Sequence, residues 1–221
     1  MISTARRQRS STVVKLKWPI LASSVLIMVV SFVAMPVAPG TLEEAVAAEI
    51  GYMLRVTARL AFAYLMLAYV ARPLVRLFGV GRPLVRNRRY LGLSMAITHT
   101  VHFGYVVSLV TVLGQEIEWI TLIFGGLAFV LMWLMAATSN DASVRALGRW
   151  WGRLHTIGVH YLWLIFMQSF VPRAFAADAS AFDSYLYGAL CLLGLVGLLL
   201  RISAFVVARR HASPGAAART T

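Results

Sequence analysis

Four histidines fall inside or beside long apolar runs of this 221-residue chain: His99 and His102 in one run, His155 and His160 in another. No Asp or Glu lies deep within any of these runs. An ionisable side chain in an apolar layer is costly and marks chemistry by default. Without buried carboxylates, proton-coupled transport and ion pumping are disfavoured. Neutral imidazole is a good ligand for heme iron. Two imidazoles on one iron leave no open position for a substrate, which suits electron transfer. Ligands on two helices clamp a porphyrin between them, with apolar walls on its faces and Arg on its propionates. The competing role for each histidine is a hydrogen bond between helices.

Spacing narrows the choice without closing it. His99 and His102 are three apart and share a helix face. His155 and His160 are five apart and point roughly 140° apart, so only one of them faces the helix of the other pair. Counted from Tyr90, His99 lies roughly 14 Å deep and His102 roughly 18 Å. Counted from Gly152, His155 lies roughly 5 Å deep and His160 roughly 12 Å, so depth alone favours His160. His211 falls in the tail.

The elements that carry these residues are membrane spans. The chain is 60% apolar and only 13% charged, with a net charge of +13. That composition excludes a water-soluble domain and a disordered chain. Six apolar stretches approach the roughly 20 residues a span requires: 18–37, 49–71, 90–113, 119–138, 154–171 and 184–208. Breakers or charges separate them at Pro36 and Pro39, Arg72-Pro73, Gly114, Ser139-Asn140-Asp141 and Pro172. Barrel-type alternation is absent, so the spans are helical. The expected fold is all-α: a polytopic six-helix membrane bundle over 18–208, with a basic tail at 1–17 and a second tail at 209–221. The first stretch has the basic flank of a signal peptide, but its apolar run is longer than usual and is read as a retained span. A nucleic-acid binder is excluded, because the positive charge is dispersed between spans.

Sorted by loop, the charge gives an orientation. Arg6, Arg7, Arg9, Lys15 and Lys17 precede the first span. Arg72, Arg76, Arg82, Arg86, Arg88 and Arg89 lie between the second and third. Arg145, Arg149 and Arg153 lie between the fourth and fifth; Arg201, Arg209, Arg210 and Arg219 end the chain. Only Arg55, Arg59 and Arg173 fall opposite, whereas seven of the eight acids, all but Asp141, do. Both termini are therefore expected in the cytoplasm of a bacterial inner membrane. Cys191 is the single cysteine, which excludes an intrachain disulfide and a thiolate metal site. Ser94 shares a helix with His99 and forms no protease-type nucleophile motif.

Three segments resemble a known family. They are 58–79, ARLAFAYLMLAYVARPLVRLFG; 88–102, RRYLGLSMAITHTVH, with a His ten residues past the Gly; and 148–155, GRWWGRLH. Across 58–170 the chain resembles the ferric-reductase-like transmembrane domain. Within that family it is most similar to the heme-binding membrane subunit of the bacterial periplasmic methionine-sulfoxide reductase system.

The resemblance implies His102 and His155 as axial ligands of heme iron. The family commonly has a second histidine thirteen residues after the first on the fifth helix. Here that position is Gln168, which leaves His160 as a replacement candidate. Glu116 stands fourteen residues after His102, so the two-heme stack of larger oxidase relatives is not supported. The resemblance implies one heme b, with two as the alternative. Arg59 matches an Arg near the outer end of the family's second helix and, with Arg55, is a candidate for propionates or lipid phosphates. Arg88 and Arg89 are candidates for propionates or for the phosphate of FMN. The chain has no Gly-x-Gly-x-x-Gly dinucleotide motif with a following acid, so a separate donor is implied. That donor is a cytoplasmic flavin reductase or the quinone pool; the acceptor is a periplasmic reductase, by resemblance a molybdenum-containing sulfoxide reductase. The alternative function is a heme-free scaffold or small permease with structural histidines.

Overall fold

The computed structural model describes residues 16–37 and 39–212. The expected tails fall largely outside the described residues. Among the described residues there are α-helices and no strands: α1 Lys17–Val33, α2 Leu42–Phe78, α3 Arg82–Thr111, α4 Trp119–Ala137, α5 Asp141–Leu147, α6 Arg149–Ala174 and α7 Ala181–Ala212. Five of them, α2, α3, α4, α6 and α7, are long and apolar enough to cross a membrane. The chain is thus a multi-pass membrane protein. The first expected span is α1, of 17 residues, about 26 Å of helix against a hydrocarbon core of about 30 Å. The short α5 falls where the sequence suggested only a loop.

Local chemistry sets the helix ends. Thr41 and Glu44 form a reciprocal capping box that satisfies two orphan N–H groups at the start of α2. Gly79 ends α2 in the left-handed region, at φ 72°, where a side chain is disfavoured. Pro83 in the first turn of α3 lacks only an N–H that would have no helical acceptor.

The expected break at Arg72-Pro73 does not occur. The helix α2 continues through Pro73 to Phe78. Proline removes the hydrogen bond to the carbonyl four residues earlier, which is Tyr69 O. Arg201 on α7 donates to that oxygen at 3.3 Å, and Arg88 on α3 donates to the neighbouring Ala68 O at 2.9 Å. The freed carbonyl is therefore satisfied by a guanidinium from α7, and a second guanidinium from α3 bonds the carbonyl beside it.

The helix α2 is the centre of the bundle, packing on α1, α3, α6 and α7. Phe62 meets Phe166 and Phe170 of α6 with ring centroids 5.4 and 5.1 Å apart. Trp119, Ile123, Leu192 and Leu199 are exposed on the outside, as an apolar environment requires. Ion pairs tie the two ends of the bundle. Arg89 of α3 pairs with Asp141 of α5, and Arg59 of α2 pairs with Asp183 of α7 at 3.1 Å.

Candidate functional site

Two cavities lie along the bundle and share the side chain of Leu162 as a common wall. The larger is about 900 Å³ and holds His155, together with Arg72, Arg76, Arg88, Arg89 and Arg201. The smaller is about 340 Å³ and holds His99 and His102, with Arg55 and Arg173. No Asp or Glu lines either cavity. Both volumes lie in the range of small-molecule and cofactor sites.

In the larger cavity, α6 supplies His155 from its second turn. His155 Nδ1 is 3.1 Å from Trp151 O; a carbonyl only accepts, so Nδ1 carries the proton. Ser139 Oγ donates to Met135 O at 2.6 Å. It stands 3.5 Å from His155 Nε2, at the outer limit of a hydrogen bond. The Nε2 lone pair is left for a ligand. Trp151 stacks on the His155 ring at 4.1 Å, and its indole N–H donates to Thr138 O at 2.9 Å. That bond fixes the start of α6 to the end of α4. Leu65, Met95, Met132 and Val159 supply apolar wall.

In the smaller cavity, α3 presents His99 and His102 with rings stacked 5.1 Å apart. His102 Nδ1 meets Thr57 Oγ1 of α2 at 3.0 Å, whereas His99 Nδ1 is buried without a partner. Phe103, Phe129, Phe166 and Phe170 supply aromatic wall. Gly125 and Gly126 of α4 face the cavity, and a Cβ built on either meets nothing within 4 Å.

The structure does not bring His102 and His155 into one cavity. His99 contacts Phe166 at 5.6 Å, and Phe166 lies three turns beyond His155, about 16 Å along α6. The two histidines therefore occupy different levels. His160 lines neither cavity. Its ring meets Tyr69 edge-on at 5.6 Å, and its Nδ1 donates to Thr156 O at 2.7 Å. Depth matched His160 to α3, but helical phase turns it toward α2. Arg59 also lines neither cavity, because Asp183 holds its guanidinium and the Tyr187 ring lies 4.9 Å away. Gln168 is exposed and lines neither cavity.

A protein of Cronobacter sakazakii named protein-methionine-sulfoxide reductase heme-binding subunit MsrQ is 31% identical over 149 residues, covering 59% of this chain and 72% of the relative. A protein of the same name from Klebsiella pneumoniae is 32% identical over 137 residues, covering 54% and 67%. The chain belongs to the MsrQ family. No family model matches it, and no solved structure does.

The fold brings to the cavities several residues that the sequence alone does not mark as cavity residues. Thr57 carries no mark in the sequence, and Arg72, Arg76, Arg173 and Arg201 read there only as topology signals. Each comes from a different helix than the histidine it accompanies, so spacing along the chain carried no trace of the pairing. A buried threonine in an apolar helix is the one retrospective signal, since its hydroxyl must find a partner.

Proposed function

We propose that this chain is a heme-binding electron-transfer subunit of a bacterial methionine-sulfoxide reductase system in the inner membrane. The observation that carries the reading is the sharing of each cavity by histidine and arginine, with no carboxylate among the lining residues. The names of the relatives support it.

The residues present fit heme b. The group needs a neutral imidazole nitrogen, flat apolar walls and cations for its propionates. The smaller cavity offers His102 Nε2, phenylalanine walls, the open Gly125–Gly126 face, and Arg55 and Arg173. The larger offers His155 Nε2 and five guanidiniums. His102 and His155 are the ligands, one in each cavity, with His99 beside His102. The separation of the two favours a pair of redox positions over a single clamped heme. The group at His102 is heme b. The arginine-lined cavity takes a second heme b on His155, or FMN through its phosphate, since guanidinium suits carboxylate and phosphate alike. Heme iron supplies one-electron exchange between two oxidation states. The chain's own residues orient the ligands, exclude water and offset anionic charge. Arg59 and His160 hold the bundle together.

The arginine-rich end faces the cytoplasm, α1 is a sixth span, and both termini are cytoplasmic, as the charge asymmetry supports. Electrons enter from a cytoplasmic flavin donor or from quinol. They leave to a periplasmic reductase, a molybdenum-containing sulfoxide reductase.

The test is a reduced-minus-oxidised spectrum of the detergent-purified chain, expressed with heme supply, followed by cofactor extraction. A b-type α band is expected. Its absence overturns the function, and extraction of heme alone or of heme with FMN decides the second group.

A further inference from the structure

Thr57 sits on α2 with its side chain fully buried. Its Oγ1 is 2.6 Å from Met53 O and 3.0 Å from His102 Nδ1. A hydroxyl has one proton, and a carbonyl oxygen only accepts. The short contact commits the Thr57 proton to Met53 O. Thr57 Oγ1 then faces His102 as an acceptor, so His102 Nδ1 is the donor. This fixes the tautomer: the proton on Nδ1, the lone pair on Nε2.

His99 differs. It shares the face and stacks on His102, but its Nδ1 is buried without a partner. Among the described residues no hydrogen bond to Nδ1 selects its tautomer or holds its ring. Metal-ligating histidines characteristically donate their second N–H to an oxygen that sets orientation and basicity. Of the two imidazoles on α3, only His102 has that support.

We propose that Thr57 is the positioning residue that makes His102, rather than His99, the iron ligand in the smaller cavity. The proposal rests on the heme reading above. Accepting from Nδ1–H also raises electron density on Nε2, which stabilises ferric over ferrous iron and lowers the reduction potential.

The first measurement uses the full chain in detergent without heme. Histidine ¹⁵N spectra, assigned with His102→Gln, show an Nδ1–H tautomer at His102 in the wild type and in Thr57→Ser. A wild-type Nε2–H tautomer overturns the proposal and leaves the heme reading standing. The deciding signal is that of the wild-type chain; His102→Gln serves only to assign it. The second measurement is a heme titration and a redox titration of the reconstituted chain. Thr57→Val weakens heme affinity by about 10- to 100-fold, the range for loss of such a partner, and raises the midpoint potential. Thr57→Ser restores both. Unchanged affinity and potential in Thr57→Val overturn the proposal. A wild-type chain that takes up no heme overturns the heme reading and the ligand role with it.

Discussion

Arg201 donates a hydrogen bond to the carbonyl oxygen of Tyr69 at 3.3 Å, the one acceptor in α2 that Pro73 deprives of its helical donor. The Arg201 guanidinium also lies 4.3 Å from the centroid of the Tyr69 ring. A charge inside an apolar helix thus has a structural partner as well as a cavity to line. Arg201→Leu is expected to destabilise the chain by about 1–3 kcal/mol, the cost of an unsatisfied buried polar group. Pro73→Ala restores a helical N–H donor to Tyr69 O. In the Arg201→Leu background it should recover part of that loss, read as unfolding free energy in mixed micelles. Equal losses with and without Pro73 would refute the coupling.

The separation of His102 and His155 predicts distinct effects of their removal. His102→Ala and His155→Ala should each lower cofactor content, and the double variant should lose all b-type absorbance. His160→Phe should leave the heme-to-protein ratio near wild type, because His160 bonds within its own helix and packs on Tyr69. Absorbance of the extracted heme, with flavin fluorescence of the same extract, measures all four. Full retention in the double variant would move the ligands to His99 and His160.

Arg88 combines two tasks at the larger cavity. Its Nε donates to Ala68 O while the side chain lines the cavity. Arg88→Lys keeps the charge and loses the planar fork, so it should not behave as wild type. Cofactor retention on gel filtration should fall in Arg88→Gln and Arg88→Lys. Arg86→Gln, outside both cavities, should retain the wild-type load.

The Arg89–Asp141 pair predicts an acid-side signature. The Arg89 guanidinium, by hydrogen bond and charge, holds the Asp141 carboxyl below its ordinary value. The folded pKa is the lower one, so the stabilisation is present above the unfolded value of about 3.9. It is lost as pH falls through the folded value. Asp141 is fully exposed, and the effect is small. Thermal melts of wild type and Asp141→Asn should differ slightly at neutral pH and converge in strong acid. A gap that widened in acid would contradict the assignment.

Composition, run length and charge order determined the class of this protein, because burial in lipid acts on each residue locally and the costs add along the chain. The all-α fold and the positions of α2, α3, α4, α6 and α7 were legible in that way, to within several residues at the ends. So were the histidines and the resemblance to the heme-binding subunit. What a proline does inside α2 was not legible, because the donor that rescues Tyr69 O comes from Arg201, far along the chain. Nor was the choice among histidines. Depth along a helix can be counted, but the level of α6 against α3 depends on how the helices pack. Packing set His155 and His102 in different cavities, turned His160 onto Tyr69, and gave Arg59 to Asp183. Thr57 is the clearest case: in sequence it is a small polar residue in an apolar run, and only the approach of α2 to α3 puts its oxygen against His102 Nδ1.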